Sequence, residues 1–137
     1  MSEYIPITLA RLVRQRAAGR CEYCHFPQEC QEAAFHIDHI QPLASDGKTA
    51  ADNLALACVT CSLSKAARTT GRDPVTGDSV PLFHPRQDRW EQHFEWSPNW
   101  KLIGLTATGR ATIRSLRINR QEVIRIRRIL VRLGEQL

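Results

Sequence analysis

The sequence predicts an α+β fold, with a small strand–loop–strand–helix core held by a four-cysteine metal site and a helical, arginine-rich C-terminal extension. Three observations lead to this prediction. Two Cys-x2-Cys pairs lie on either side of a segment in which apolar and polar residues alternate. Three tryptophans occur in the segment that follows the core, and eight arginines lie between residues 110 and 132. We expect residues 1–68 to form the core with an N-terminal helix, and residues 69–137 to form an extension packed on it.

Composition limits the classes of protein that this chain can represent. With 42% hydrophobic and 24% charged residues over 137 positions, it has the balance of an ordinary folded domain. The 19 lysines and arginines exceed the 14 acidic residues, giving a net charge of +5, which suits a polyanionic partner but is weak evidence alone. No apolar run approaches the roughly 20 residues of a membrane span. The first residues lack a signal-peptide pattern, so the predicted location is the cytoplasm.

The core elements follow from local patterns. An amphipathic helix is predicted to begin at a Thr8 cap and to end before Gly19. Residues 34–40 alternate as a strand with one solvent-facing side does, and residues 53–57 return after a loop with Pro42 and a glycine. A helix over residues 60–68 then opens with the second cysteine pair.

The extension is less regular at first. Residues 69–100 are interrupted by prolines but contain all three tryptophans, which predicts an ordered aromatic wrap with His93 packed inside it. A strand is expected within residues 101–106 and a helix over 109–116. The last helix is predicted to begin at a capping box formed by Asn119 and Glu122 and to end at Gly134.

The two cysteine pairs have the spacing of a structural zinc site. The site would use Cys21, Cys24, Cys58 and Cys61, with 33 residues between the pairs. A tetrahedral site with four thiolates has no open position for substrate, so we expect a structural Zn²⁺ rather than a catalytic one. Four unrelated buried thiols are a weaker interpretation, because two matched pairs rarely arise by accident. A redox pair is weaker still, since no βαβ pattern is present. Cys30 has no predicted role.

The residues between the pairs form an ordered motif. They read His36-Ile37-Asp38-His39-Ile40-Gln41-Pro42-Leu43, then Asp46-Gly47-Lys48, Asn53-Leu54 and Cys58-x2-Cys61-Ser62-x2-Lys65. This pattern resembles the HNH endonuclease family, with its Asp-His-Ile-x-Pro, glycine-containing loop, Asn-Leu and Cys-x2-Cys-Asn-x2-Lys. The resemblance covers about residues 20–68. Residues 73–134 also resemble a C-terminal extension found in one bacterial branch of that family.

The resemblance implies a ββα-metal core that hydrolyses DNA phosphodiester bonds with the help of a divalent ion such as Mg²⁺ or Mn²⁺. Carried over by position, Asp38 binds that ion, His39 activates water, Asn53 holds the loop and orients the histidine, and Lys65 contacts phosphate. An imidazole titrates near neutral pH, which suits His39 as a general base. Adjacent residues of a regular strand face opposite sides, so the strand must end or bulge near Asp38 and His39.

One position departs from the family pattern. Ser62 stands where the family has Asn or His after the fourth cysteine, and serine is a poorer ligand for a hard divalent ion. The ion is then held weakly, through water, or with help from His36, which shares a strand face with Asp38. The alternative function is a non-catalytic, zinc-stapled nucleic-acid-binding module. A protein adapter is a third interpretation, supported only by the aromatic segment.

The last predicted helix has one apolar and one basic side. Its expected buried stripe consists of Val123, Ile126, Leu130 and Leu133. Arg125, Arg128 and Arg132 lie on the opposite side, where charge of one sign favours contact with the phosphate backbone over a merely solvated face. The predicted partner is DNA, double-stranded and bound with little sequence specificity. The sequence predicts no oligomeric state.

Overall fold

The computed structural model describes residues 4–137, which divide into two compact units. The first unit ends at Thr69 and also includes His84–Gln87, and the second comprises Thr70–Phe83 and Asp88–Leu137. The first unit combines helices with one pair of short antiparallel strands, and the second combines helices with two such pairs. This arrangement confirms the predicted α+β class. Among the described residues, no helix has the length and apolar character needed to cross a membrane.

The first unit has the predicted order of strand, loop, strand and helix. Its elements are α1 (Ile7–Arg16), β1 (His36–His39), β2 (Leu54–Ala57) and α2 (Val59–Lys65). The predicted Thr8 cap is wrong, because α1 begins at Ile7 directly after Pro6, whose fixed φ suits a helix start. Short 3₁₀ turns occupy Gln28–Cys30, Leu43–Ser45 and Ala51–Asn53.

Strand β2 is the centre of the first unit. It pairs antiparallel with β1, so that Asp38 lies opposite Ala55 and His39 opposite Leu54. All four residues of β2 are buried, as expected for a strand covered on both faces. Arg16, at the end of α1, donates hydrogen bonds to the carbonyl oxygens of Ala51 (2.9 Å) and Leu54 (2.7 Å), which fixes the helix against the strand.

The second unit contains two strand pairs and three helices. Its elements are β3 (Thr70–Arg72), β4 (Ser79–Pro81), α3 (Trp90–His93), β5 (Phe94–Trp96), β6 (Leu102–Gly104), α4 (Ala107–Ser115) and α5 (Gln121–Arg132). The aromatic segment forms an ordered cluster inside the second unit: the ring of Trp90 lies 5.2 Å from that of Phe94 and 5.8 Å from that of Trp96, and His93 packs edge-on against Phe83 at 5.9 Å. These contacts give an ordered segment its core despite its prolines.

Glycines allow α4 to lie directly on its neighbours. A Cβ atom on Gly104 would fall 2.5 Å from the backbone nitrogen of Arg110, and one on Gly109 would fall 2.2 Å from the carbonyl oxygen of His93. The helix begins after Thr106, whose hydroxyl accepts a hydrogen bond from the Gly109 amide at 3.0 Å. Close backbone approach thus explains why this region has two glycines within six residues.

The predicted capping box of α5 is wrong. The Asn119 side chain does not cap the helix; it pairs with β6, accepting from the amide of Leu102 and donating to its carbonyl oxygen, both at 2.8 Å. Helix α5 begins after Arg120 without a side-chain cap. An asparagine that pairs with a strand edge satisfies two backbone groups that would otherwise lack partners.

The buried face of α5 also differs from the predicted stripe. Val123 and Ile124 are buried, whereas Leu133 is 78% exposed. Arg127 is buried as well, with its guanidinium 5.0 Å from the ring centroid of Trp96. The aromatic ring stabilises the buried cation. The buried face of α5 therefore includes Arg127 and does not coincide with the predicted apolar stripe.

Candidate metal centre and active site

The four paired cysteines converge at one point of the first unit. Cys21 and Cys24 lie in the turn after α1, Cys58 precedes α2, and Cys61 lies in its first turn. All four are buried, and their sulfur atoms lie within 4.8 Å of one another. The Sγ atoms of Cys24 and Cys58 are 3.8 Å apart. A tetrahedral zinc with Zn–S bonds of about 2.3 Å has sulfur–sulfur edges of roughly 3.8 Å, so the cluster fits zinc.

The surroundings of these sulfurs suit a bound cation. The amide of Cys24 points at the sulfur of Cys21 (3.5 Å), and the amide of Cys61 points at the sulfur of Cys58 (3.4 Å). Burial raises the pKa of the Cys21 thiol, as does its hydrogen bonding with Cys24. Hydrogen bonds from the other three cysteines instead lower the pKa of the Cys58 thiol. A bound cation would favour the thiolate form of the whole cluster.

A second group of predicted residues meets in an open cleft of about 390 Å³. His36, Asp38 and His39 reach it from β1, and Ser62 reaches it from α2. Because β1 ends at His39, the two adjacent residues Asp38 and His39 both line the cleft, as the expected strand end requires. The fold thus brings the predicted acid and the predicted base to one surface.

Asp38 is held by two buried partners. Its Oδ2 atom accepts a hydrogen bond from the Tyr23 hydroxyl at 2.8 Å and lies 3.2 Å from Nζ of Lys65. Burial raises the pKa of Asp38, while the Lys65 charge and the Tyr23 hydroxyl act in the opposite direction. Sequence reasoning missed Tyr23, although a tyrosine between two buried cysteines must find a partner for its hydroxyl.

The placement of Lys65 does not fit its predicted contact with DNA phosphate. The residue is buried, with only 1% of its surface exposed. Besides the ion pair with Asp38, its ammonium donates to the carbonyl oxygens of His39 (3.3 Å) and Ile40 (3.1 Å). The motif lysine therefore ties α2 to the end of β1, because a buried ammonium needs both an opposite charge and hydrogen-bond acceptors.

His39 contacts a residue that sequence reasoning missed. Its Nε2 atom lies 2.9 Å from the hydroxyl of Thr49, in the loop between β1 and β2. That loop passes so close to itself that a Cβ on Gly47 would lie 1.8 Å from the carbonyl oxygen of Gln41. The contact between Thr49 and His39 joins residues ten positions apart, and no local pattern signals it.

Asn53 lies at the base of the same loop. Its side chain accepts from the amide of Gln41 (2.8 Å) and donates to the carbonyl oxygens of Gln41 (3.0 Å) and Lys48 (2.8 Å). These three bonds hold the loop closed. They concern backbone groups of the loop, so Asn53 acts on the cleft through the loop that carries Thr49.

The departing residue Ser62 contacts His36. Its Oγ atom lies 2.8 Å from Nδ1 of that histidine, and both side chains are half-buried. The predicted arginines lie elsewhere: Arg125, Arg128 and Arg132 are exposed along one face of α5 in the second unit. Of the odd cysteine, Cys30, the structure shows that it is exposed and outside the metal cluster.

Comparison with known families supports the motif. Residues 21–68 match the profile of the HNH endonuclease family. The search of curated proteins gave no match. The matched segment contains the four cysteines, all the cleft residues from β1 and α2, and the Asn53 loop. Residues 21–68 thus combine the HNH endonuclease match with a buried four-cysteine cluster, and this match suggests nuclease activity on nucleic acid.

Proposed function

We propose that the protein is a metal-dependent endonuclease that hydrolyses DNA phosphodiester bonds with water activated by His39. The observation that carries the proposal is the meeting of Asp38 and His39 in an open cleft at the end of β1. A carboxylate and an imidazole serve different steps of hydrolysis, and a purely binding module has no need of both at one surface.

His39 is assigned the proton transfer. Its ring is oriented by the contact between Nε2 and the Thr49 hydroxyl, and a neutral imidazole nitrogen can accept a proton. It takes the proton from a water molecule whose oxygen attacks phosphorus. The bond from phosphorus to the 3′ oxygen breaks, which leaves a 5′-phosphate and, after protonation, a 3′-hydroxyl.

Asp38 is assigned the divalent ion, with His36 and Ser62 as the further candidates on the same cleft. Both contacts that Asp38 makes within the described residues use Oδ2, so we assign Oδ1 to the ion. Carboxylate oxygen is a preferred ligand of Mg²⁺ and Mn²⁺. When bound, the ion supplies positive charge to the phosphate oxygens and to the leaving oxygen.

Lys65 and Tyr23 are assigned the task of keeping Asp38 ionised and in place. Burial alone favours the protonated carboxyl, which is a poor metal ligand. The Lys65 ammonium and the Tyr23 hydroxyl favour the carboxylate, and each comes from a segment that also carries zinc-binding cysteines. A Zn²⁺ held by the four cysteines would therefore fix both segments that position Asp38.

A non-catalytic nucleic-acid-binding module is the second candidate. Two observations favour it: Ser62 is bonded to His36, and Asp38 is already paired with Lys65. An ion in the cleft would have to compete with the Ser62–His36 contact and would lie close to the positive charge of Lys65. Within residues 4–137, the four cysteines form the one group in which three or more His, Cys, Asp or Glu side chains bring their ligand atoms together. An ion in the cleft would therefore have fewer such side chains to bind it.

Nicking of supercoiled plasmid DNA separates the two candidates. Wild-type protein is assayed with Mg²⁺, Mn²⁺ and Ni²⁺ beside His39→Ala, and zinc content and circular dichroism serve as controls of folding. Loss of the general base is expected to reduce the rate by about 10²–10⁴-fold. Cleavage that persists in a well-folded His39→Ala protein would overturn the assignment of the base. Absence of cleavage by wild type with all three ions would support the binding module.

A further inference from the structure

Two adjoining clefts run beside α5 in the second unit. The first, of about 510 Å³, is lined by Lys101, Arg125 and Arg128 among others. The second, of about 340 Å³, is lined by Trp100, Arg128 and Arg132 among others. The two share Asn99 and Arg128, and together they are called the α5 groove. No residue of the groove falls within the segment that matches the nuclease family.

The α5 groove is positively charged. Lys101 and the three arginines of α5 are exposed, and none of the described residues that line the clefts is acidic. Arg125, Arg128 and Arg132 lie on one helix face, spread over about 10 Å at 1.5 Å per residue. These neighbouring positive charges repel each other, and an anion bound between them would relieve that repulsion. A nucleic-acid strand, which carries one negative charge per nucleotide, is an anion long enough to contact the whole row.

The walls of the groove are fixed before any ligand arrives. The buried Arg127 donates to the carbonyl oxygens of Ile118 (2.8 Å) and Trp100 (3.3 Å), which ties the loop before β6 to α5. Arg128 adds a bond from Nε to the carbonyl oxygen of Asn99 at 3.3 Å. A site formed in advance loses less conformational entropy when a ligand binds.

Trp100 brings an aromatic ring to the same groove. It is half-buried and adopts φ 62°, a conformation that bulky residues rarely take. Its ring lies 5.8 Å from that of Trp96, and it lines the cleft together with Arg128 and Arg132. An aromatic ring beside a row of cations is the arrangement by which proteins bind an unpaired base and its phosphates together.

We infer that the α5 groove binds a single, unpaired DNA strand, with a base stacked on Trp100 and phosphates on Lys101, Arg125, Arg128 and Arg132. Clefts of 340 and 510 Å³ have the size of a site for a small ligand such as one nucleotide. A double helix keeps its bases stacked inside and offers no free base to a tryptophan. The choice of DNA rests on the proposed function, whereas binding itself requires no cleavage.

The test measures binding of the full-length His39→Ala protein to fluorescent oligothymidylate and to a duplex of equal length, at several salt concentrations. We expect the single strand to bind more tightly. Trp100→Ala should weaken that binding roughly tenfold, and Trp100→Phe should largely restore it. Replacing Arg128 and Arg132 by Gln should weaken binding and reduce the salt slope by roughly 1.4, at about 0.7 per phosphate.

Arg114→Gln is the matched control, because Arg114 is an exposed arginine of α4 that lines neither cleft. It should leave affinity and salt slope nearly unchanged. Equal or tighter binding of the duplex would overturn the inference. Unchanged binding in the Arg128/Arg132 double variant would also overturn it, and this variant decides the matter if Trp100→Ala does not fold. Plasmid nicking by the wild type reports separately on the proposed function.

Discussion

The hydroxyl of Ser62 and the Nδ1 atom of His36 are 2.8 Å apart, and this contact joins α2 to β1 at the edge of the proposed active site. Ser62 occupies the position where the HNH family has Asn or His. The contact fixes the His36 ring on the strand face that it shares with Asp38. The residue that departs from the family pattern is thus engaged with another candidate ligand of the same ion.

The first prediction concerns Ser62. Ser62→Asn should tighten binding of Mn²⁺ and raise the rate of plasmid nicking, because an amide oxygen reaches farther and is a better ligand than a serine hydroxyl. Mn²⁺ affinity is measured by electron paramagnetic resonance, independently of cleavage. The double variant Ser62→Asn/His39→Ala should keep the affinity but lose the nicking.

The outcome at Ser62 has a clear interpretation in each direction. Cleavage by Ser62→Asn alone would mean that the natural chain is a disabled nuclease. Weaker Mn²⁺ binding in Ser62→Asn than in wild type would contradict a ligand role for position 62. It would point instead to the loss of the His36 contact as the cause.

The second prediction concerns the cysteine cluster. Wild-type protein should contain about one zinc per chain, and Cys58→Ser should lose it and unfold or aggregate, because such ions stabilise small domains by on the order of 10 kcal/mol. Elemental analysis and circular dichroism measure the two effects. Cys30→Ser is the matched control, since Cys30 is exposed and outside the cluster. Well-folded wild-type protein without zinc would refute the site.

The third prediction concerns Lys65. Lys65→Met should destabilise the first unit by about 3–5 kcal/mol, because it leaves the buried carboxylate of Asp38 without its charged partner. Urea unfolding measures the loss. The double variant Lys65→Met/Asp38→Asn should recover part of it. DNA affinity should change little, since the ammonium of Lys65 faces inward. A large loss of affinity in folded protein would instead support the predicted contact between Lys65 and phosphate.

The fourth prediction concerns acid stability. Asp73 is buried and bonded twice to Arg110, at 2.9 and 2.8 Å, and this pairing holds the pKa of Asp73 well below its usual range. A carboxyl whose pKa is lowered by folding stabilises the folded state above its unfolded pKa of about 3.9, and that stabilisation is lost as the pH falls below it. Asp73→Asn should therefore unfold at a lower temperature than wild type at neutral pH, and this gap in unfolding temperature should shrink in acid.

Asp78→Asn provides the comparison for this experiment. Asp78 lies in the same β3–β4 hairpin but is exposed. Its replacement should leave the dependence of stability on pH almost unchanged. A gap between Asp73→Asn and wild type that stays constant from neutral pH to about pH 3 would show that the Asp73 charge is not responsible.

Much of the first unit follows from local sequence signals. The paired cysteines, the alternation around His36 and Asp38, and the strand at Leu54–Ala57 each depend on neighbours within a few positions. The loop closed by Asn53 follows from the family resemblance. These features could be predicted because spacing alone determines which side chains share a face or a turn.

The remaining features depend on contacts between distant positions. Nothing near Lys65 in the sequence shows that its ammonium turns inward to Asp38, and the Asn119 pairing with β6 cannot be separated from a helix cap by pattern. The buried face of α5 was misplaced because an arginine, Arg127, occupies a core position. Periodicity treats every arginine as polar, whereas cation–π stacking and three backbone or amide acceptors make this one a core residue.

The Cys21–Cys24 turn carries two thiols of the metal cluster and also Tyr23, whose hydroxyl donates to Asp38. We therefore expect loss of zinc from the four-cysteine cluster to shift the Tyr23 hydroxyl and, with it, the Asp38 carboxylate. When wild-type protein is treated with a zinc-selective chelator in the presence of Mg²⁺, plasmid nicking should be lost before the helical signal in circular dichroism falls. Simultaneous loss of both signals would show no such coupling. In a cell where zinc is scarce, such a nuclease would lose its activity before it unfolds.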